Sequence, residues 1–202
     1  MSKNKIVFFG TPSFAVVCLK QLLEQKFNIL AVVTAIDKRA GRGKKLKSSD
    51  IKNFAIQNGL DLFQPENMKD DHFVEKIKSL KPDFIIVVAF RMMPKKIWEI
   101  PFVGTINLHA SLLPNYRGAA PINWAIINNE KYTGVTTFYI NENIDSGDIL
   151  LQKKVEISEN ETAGTLHDKL SFEGSQLICE TIDRLSKNKI TAKPQKLLDD
   201  IK

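Results

Sequence analysis

Two polar residues with side chains suited to acid–base chemistry stand at the end of one apolar segment, GTINLH at positions 104–109. By the two-residue period of a strand, Asn107 and His109 project from the same face. The amide N–H of asparagine and a protonated histidine can both donate to the oxyanion that forms when an amine attacks a formyl carbon. The spacing alone favours an ordinary polar strand end over a catalytic pair, and both interpretations stay open at this point.

A carboxylate that would complete the pair lies in the segment NIDSGD, between two further candidate strands. Asp145 could orient His109, stabilise its protonated form, or relay protons through water. No nucleophile motif accompanies this set, because Ser111 lacks the glycine-flanked elbow of hydrolases. A covalent acyl-enzyme is therefore not indicated. The other histidines, His72 and His167, are interpreted as a solvated and a structural side chain.

The elements that must position these residues follow a strand–helix alternation. The apolar patterns predict strands over residues 5–9, 29–36, 61–64, 83–89 and 104–109, and helices over 11–25, 48–58 and 70–80. After Pro114 they predict helices over 120–128 and 162–185 and alternating, antiparallel strands over 133–140 and 148–157. The helix caps are predicted to be Thr11 or Ser13, then Ser48 or Ser49, and Thr162.

The predicted fold class is α/β, a doubly wound, mostly parallel, Rossmann-like sheet with an antiparallel C-terminal extension. Residues 1–187 are predicted to form one catalytic domain, and the polar segment 188–202 a linker or tail. In open parallel sheets, ligands bind beyond the carboxyl ends of the strands, which directs attention to residues 10–12, 90–93 and 107–114. Neither a G-x-G-x-x-G nor a P-loop spacing is present, so NAD, FAD and P-loop nucleotides are not expected.

The positive charge of the chain is concentrated in one segment. The net charge is +6, from 29 basic and 23 acidic residues, and KRAGRGKKLK at 38–47 holds six of the basic residues and no acid. Outside this segment the two signs therefore balance. The pattern predicts a flexible loop over residues 37–47 that contacts a polyanion. A solvated run of charge is the alternative that the count alone leaves open.

No apolar run approaches the length that spans a bilayer, and no small-residue cleavage site follows the N-terminus, so we expect a cytoplasmic protein. The two cysteines, Cys18 and Cys179, lie far apart in buried helical patterns. They form no pair motif, and neither a metal site nor a disulfide framework is expected.

Four stretches of the chain closely resemble the methionyl-tRNA formyltransferase family. They are FFGTPSFA at 8–15, DKRAGRGKKL at 37–46, NLHASLLPNYRGAAPIN at 107–123 and IDSGDIL at 144–150. The resemblance runs from residue 5 to about residue 195. Its Asn-x-His, SLLP and Asp-x-Gly-Asp elements are shared by the wider group of 10-formyltetrahydrofolate-dependent formyltransferases. They are therefore specific for the chemistry and not for the acceptor.

The resemblance implies that Asn107, His109 and Asp145 are the catalytic residues. It implies direct transfer of a formyl group from 10-formyltetrahydrofolate to the α-amino group of initiator methionyl-tRNA, with no metal, membrane or protein partner. The implied folate contacts are Phe90, Arg91, Met92, Ser111, Leu112, Leu113, Pro114, Ile140 and Ile144. The implied tRNA contacts are Arg42, Lys44 and Lys45.

The chain departs from the family pattern in two ways. Phe90-Arg91 replaces the Tyr-Gly of many relatives, and the family usually carries a further C-terminal β-barrel domain where this chain ends with PQKLLDDIK. We therefore expect a truncated or a stand-alone catalytic domain. Three alternatives remain: formylation of a nucleotide-linked amino sugar, formylation of glycinamide ribonucleotide, and a catalytically silent binding module. The amino-sugar enzymes would need the same catalytic residues but no GRGKK loop.

Overall fold

A computed structural model describes residues 4–40 and 45–195 of the chain. Its strands are β1 (Lys5–Gly10), β2 (Asn28–Val33), β3 (Lys38–Ala40), β4 (Lys45–Lys47), β5 (Leu62–Phe63), β6 (Phe84–Val88), β7 (Gly104–His109), β8 (Tyr132–Tyr139) and β9 (Ile149–Glu156). Its helices are α1 (Ser13–Glu24), α2 (Asp50–Gln57), α3 (Asp71–Ser79), α4 (Lys95–Trp98), α5 (Pro121–Ile127) and α6 (Ala163–Ser186).

Seven of the strands form one sheet in the order β5-β2-β1-β6-β7-β8-β9. β1 is parallel to β2 and β6, and β2 is parallel to β5, whereas β8 is antiparallel to both β7 and β9. The order of strands reverses at β1, with β2 on one side and β6 on the other, as in doubly wound folds. The predicted fold class, with its antiparallel C-terminal extension, is confirmed.

The chain forms two compact units, residues 1–105 and 106–202. The core of the first unit is built on β1 and β6, whose side chains from Ile6 to Phe9 and from Phe84 to Ile86 are fully buried. Burial of each such side chain stabilises the fold by roughly 1.5–3 kcal/mol. The continuous apolar runs of the sequence therefore correspond to strands that are covered on both faces, as predicted.

The predicted helix caps are confirmed at two of three helices. Ser49 caps α2 by accepting a hydrogen bond from the N–H of Lys52, and Thr162 caps α6 in a capping box. The cap prediction for α1 was wrong, because the residue at the cap position is Pro12 and it makes no side-chain bond. Ser13 already lies inside the first turn, where a hydroxyl can no longer act as the cap.

The second unit is built on the antiparallel strands β7, β8 and β9, with α6 packed against β8 and β9. At one point on α6, a helix residue lies directly against β7. A Cβ atom at Gly174 would lie 2.6 Å from Cδ2 of Leu108. Only glycine allows that approach without displacing the leucine side chain.

Two segments differ from the predictions. Residues 37–47 were expected to form a flexible loop, but β3 and β4 pair in antiparallel fashion with Lys38 opposite Lys47. The two strands pair through main-chain groups, and such pairing can occur in a segment that has no apolar pattern. Positions 42 and 44 lie outside the described residues, and Lys45 begins β4. The short helix α4 was not predicted, because four residues are too few for a helical period to be recognised.

Both cysteines are buried, as expected. Burial raises the pKa of the Cys179 thiol to about 12, so this side chain stays protonated and acts as a small apolar residue. Over residues 4–40 and 45–195, no helix is both long and apolar enough to cross a membrane. Within the same residues, no group of three or more histidine, cysteine or acidic side chains is arranged to hold a metal ion.

Candidate active site

Strand β7 brings Asn107 and His109 to one face of the second unit. Their neighbour Leu108 points to the opposite face, where it is buried against Gly174 of α6. One edge of β7 pairs with β8, where His109 lies opposite Thr136. The two polar side chains are therefore held by a paired strand that rests on the longest helix of the unit.

His109 is buried and lies between two acceptors. Its Nδ1 is 3.4 Å from Oδ2 of Asp145, and its Nε2 is 2.8 Å from the main-chain oxygen of Tyr116. A carbonyl oxygen can only accept, so Nε2 must be the donor in that hydrogen bond. Nδ1 faces a carboxylate, and the two contacts are satisfied together when the imidazole carries both protons. The structure thus brings His109 and Asp145 together across 36 residues of sequence.

The carboxylate of Asp145 is held by main-chain geometry. The residue has a left-handed conformation with φ of 47°, and its Oδ2 accepts a hydrogen bond of 2.8 Å from the N–H of Gly118. The loop that carries it connects β8 to β9, and Asn141 Oδ1 closes that loop by accepting from the Asn143 N–H and the Ser146 hydroxyl. Because the carboxylate and imidazole are largely shielded from solvent, their interaction is stronger than at a surface.

Gly147 sets how closely the Asp145 loop approaches β8. A Cβ atom at this position would lie 1.7 Å from the main-chain oxygen of Tyr139, a distance that no side chain can occupy. The loop can therefore reach its observed position only with glycine at residue 147.

We expect Gly147→Ala to lower the free energy of unfolding by about 2 kcal/mol, because the new methyl group must displace main-chain atoms of β8. Urea unfolding of the purified chain measures this change. Gly164→Ala is the matched control: its new Cβ would meet only the Thr162 hydroxyl at 3.7 Å, so the unfolding midpoint should hold or rise. Equal midpoints for the two variants would contradict the packing argument.

Asn107 is half-buried and lies opposite Phe138 of β8. Among residues 4–40 and 45–195, no side-chain hydrogen bond involves its amide. An amide N–H on the same face as His109 therefore remains available to a ligand. This is the arrangement that an oxyanion requires, namely donors that are in place before charge develops.

The turn after β7 carries the predicted folate contacts Ser111 to Pro114. The Ser111 hydroxyl donates to the main-chain oxygen of Asn115 at 2.6 Å, and the peptide bond between Leu113 and Pro114 is cis. The Thr136 hydroxyl donates to the oxygen of Ser111 at 2.6 Å and accepts from the N–H of Leu113 at 3.1 Å. The polar groups of the turn are thus largely bonded within the protein, Leu113 is buried, and Leu112 and Pro114 are partly exposed.

The remaining predicted folate contacts lie in both units. In the first unit, Phe90 packs edge-on against Phe9, with ring centroids 5.4 Å apart, and Arg91 donates to the main-chain oxygens of Pro65 and Glu66. Met92 is 71% exposed. In the second unit, Ile140 is half-buried and Ile144 is 58% exposed on the loop of Asp145. Large exposed apolar side chains such as Met92 and Ile144 are suited to covering an aromatic ligand.

Several residues around this site were not identified from the sequence. They are Tyr116, Gly118, Thr136, Gln152 and Gln195, which hold the candidate catalytic residues or the adjoining turn by hydrogen bonds. Tyr116 and Gly118 lie within the stretch 107–123, so their position in that motif was the available signal. The other three contribute through contacts distant in sequence, which no local pattern reports.

Known proteins that are similar to this chain include formyltransferases. A methionyl-tRNA formyltransferase from Thermodesulfovibrio yellowstonii is 59% identical over 94% of this chain and 62% of its own length. One from Flavobacterium psychrophilum is 52% identical over 100% of this chain and 64% of its own length. The chain thus spans somewhat over three fifths of the length of these curated relatives.

Solved structures show the same fold. An N-formyltransferase from Helicobacter canadensis, in complex with folinic acid and dTDP-3-aminofucose, has a TM-score of 0.73 and 25% identity, over 96% of this chain and 68% of that protein. The sequence pattern of the formyl transferase family matches residues 4–182, which include Asn107, His109 and Asp145. The chain therefore belongs to the formyl transferase family.

Proposed function

We propose that this chain transfers a formyl group from 10-formyltetrahydrofolate to the α-amino group of initiator methionyl-tRNA. The observation that carries the proposal is its 59% identity to a methionyl-tRNA formyltransferase over 94% of the chain. The folate donor is supported by the folinic acid bound to the Helicobacter canadensis relative. An aminoacyl-tRNA acceptor belongs to translation and agrees with a cytoplasmic location.

The catalytic step can be assigned to three side chains of the second unit. The amine attacks the formyl carbon, and the oxygen of that carbon becomes an anion in the tetrahedral intermediate. Asn107 donates to this oxygen through its unpaired amide, and His109 donates from Nε2 after exchanging its hydrogen bond to Tyr116 for one to the ligand. A preorganised donor such as the Asn107 amide contributes roughly 3–4 kcal/mol to lowering the barrier, whereas His109 must first give up its bond to Tyr116.

The proton balance of the reaction assigns a role to Asp145. The attacking amine must lose one proton, and the leaving nitrogen of the folate must gain one. With Asp145 beside Nδ1 of His109, the positive charge on the imidazole is stabilised while Nε2 points toward the reacting oxygen. The carboxylate also accepts a proton from the attacking amine through a water molecule. The same water then carries the proton to the leaving nitrogen of the folate.

In the second unit, folate would contact the turn 111–114 and the segment around residues 140–144. The hydrogen bonds within the turn fix its main chain, so that Leu112 and Pro114, which are partly exposed, present an apolar edge beside the buried Leu113. Arg91 is held by the main chain of residues 65–66, and so its aliphatic stem is the part that would face a ligand. This bonding agrees with folate binding despite the replacement of Tyr-Gly by Phe90-Arg91.

The direct test is a comparison of acceptors with 10-formyltetrahydrofolate as donor. The purified chain is incubated with methionyl-tRNA, with a dTDP-linked amino sugar, and with glycinamide ribonucleotide, and the formylated products are separated and quantified. We expect a kcat/KM for methionyl-tRNA at least tenfold above that of the other two. A preference for the amino sugar would favour the second candidate function, which the Helicobacter canadensis relative and its bound dTDP-3-aminofucose support.

The tRNA contact is proposed for Arg42, Lys44 and Lys45, because residues 38–47 contain six basic residues and no acid. We expect Arg42→Ala to raise the KM for methionyl-tRNA on the order of tenfold and to flatten the salt dependence of binding by about one counterion. Folate binding should not change. Arg184→Ala removes the same charge from an exposed position on α6 and should leave both constants unaltered. Equal effects of the two substitutions would indicate that only total charge matters.

A further inference from the structure

The segment after α6 returns to the sheet of the second unit. The N–H of Ile149 donates to the oxygen of Lys193 at 2.8 Å, and the N–H of Lys193 donates back to the oxygen of Ile149 at 2.9 Å. This two-bond bridge holds the segment beside the first residue of β9, immediately after the loop that carries Asp145. The position of Gln195, two residues further on, is fixed by the same bridge.

Gln195 uses all the hydrogen-bonding capacity of its amide within the protein. Nε2 donates to the main-chain oxygens of Asp145 at 2.9 Å and Gly147 at 2.8 Å. Oε1 accepts from Nε and Nη2 of Arg117, at 3.0 and 2.6 Å. A primary amide has two donor hydrogens and two acceptor lone pairs, and here each has a partner.

These contacts join the two loops that hold His109. Arg117 lies between Tyr116, whose oxygen accepts from His109 Nε2, and Gly118, whose N–H binds Asp145 Oδ2. Asp145 itself lies on the other loop. A shift of either loop would therefore change the distance between His109 and one of its two acceptors. Bonds to the charged guanidinium group are stronger than those between neutral groups, so Gln195 connects the loops firmly.

We propose that Gln195 is a positioning residue for Asp145 and His109, and that it acts by fixing the loop 141–147 to the loop 115–118. It touches no reacting group, and its effect on turnover rests on the proposed formyl transfer. A displacement of a reacting group by about 1 Å can cost on the order of a hundredfold in rate. The segment around Gln195 therefore helps to hold Asp145 and His109 in their observed positions.

A first experiment tests the positioning without any assay of activity. Hydrogen–deuterium exchange is measured on Gln195→Ala, on Gln195→Glu, and on Lys193→Ala, whose exposed side chain lies on the same segment while its main chain forms the bridge. Gln195→Ala should accelerate exchange across residues 141–147 at least fivefold. Gln195→Glu keeps an acceptor for Arg117 but loses both donors, and should behave similarly. Lys193→Ala should match the parent chain. Unchanged exchange in both Gln195 variants would overturn the inference.

A second experiment asks whether the effect passes through Asp145. Gln195→Ala should lower kcat on the order of tenfold and leave both KM values within twofold. In an Asp145→Asn background the same substitution should lower kcat by clearly less than in the parent chain, because one of the two groups that it positions is already gone. A full tenfold loss in that background would refute positioning through Asp145. Should the parent chain fail to formylate methionyl-tRNA, the proposed function fails, while the exchange experiment still decides the role of Gln195.

Discussion

Replacing His109 by alanine is expected to slow formyl transfer on the order of a thousandfold, with little change in the KM for folate. In the proposed mechanism, the substitution removes one of two donors to the oxyanion and the imidazole that contacts Asp145. It also leaves a carboxylate that is only 15% exposed without its contact to His109 but with the hydrogen bond from Gly118, at a cost of about 1 kcal/mol in the free energy of unfolding. Single-turnover kinetics with saturating donor measures the rate of the chemical step.

The control for this variant is His167→Ala. His167 lies on α6, where its Nδ1 is 3.0 Å from Oδ1 of the adjacent Asp168, and it belongs to no part of the candidate site, so turnover should be retained. Urea unfolding of the His109 variant confirms that the protein is folded in the assay. A rate within a few-fold of the parent chain would exclude His109 from the chemical step.

Asp145→Asn is expected to lower kcat about a hundredfold while preserving the loop. The asparagine oxygen can still accept from the N–H of Gly118, so the change removes the negative charge and little else. If Asp145 serves only to orient the ring of His109, the amide oxygen should replace it and kcat should fall less than fivefold. The size of the loss thus separates orientation from charge stabilisation and proton transfer.

Asp148→Asn provides the matched comparison for that variant. Asp148 is exposed on the same loop, and its main-chain oxygen, which accepts from the N–H of Tyr139, is unaffected by the change. We expect the same kcat as for the parent chain. A comparable loss in both variants would show that the loop responds to any change of charge.

Much of the fold could be predicted from the sequence because its strongest signals are local. The segments around Phe8 and Ile86 are uninterrupted runs of apolar residues. This pattern is typical of strands that are covered on both faces. Predicted strand and helix ends fell within one to three residues of the observed ones, and Gly104–His109 matched at both ends. The errors were at positions where main-chain bonding decides the structure, namely the hairpin of β3 and β4 and the cap of α1.

The sequence predicted the candidate catalytic side chains but not the hydrogen bonds that hold them in place. Strand periodicity places Asn107 and His109 on one face, and motif spacing proposes Asp145. The contacts of Tyr116 and Gln195 join segments far apart in the chain, and neither residue type indicates such a role by itself. The left-handed conformation of Asp145 likewise depends on the surrounding loop, because aspartate adopts it only where neighbours compensate.

The contact between Gly174 and Leu108 has a consequence for how this protein can change. Leu108 stands between Asn107 and His109 on β7, so a side chain at position 174 would have to displace the Leu108 side chain on the reverse of the strand that carries both donors. A larger residue is therefore accepted at position 174 only where the Leu108 side chain can move aside. In a library selected for a new acceptor amine, residue 174 should remain glycine while the loop residues diversify.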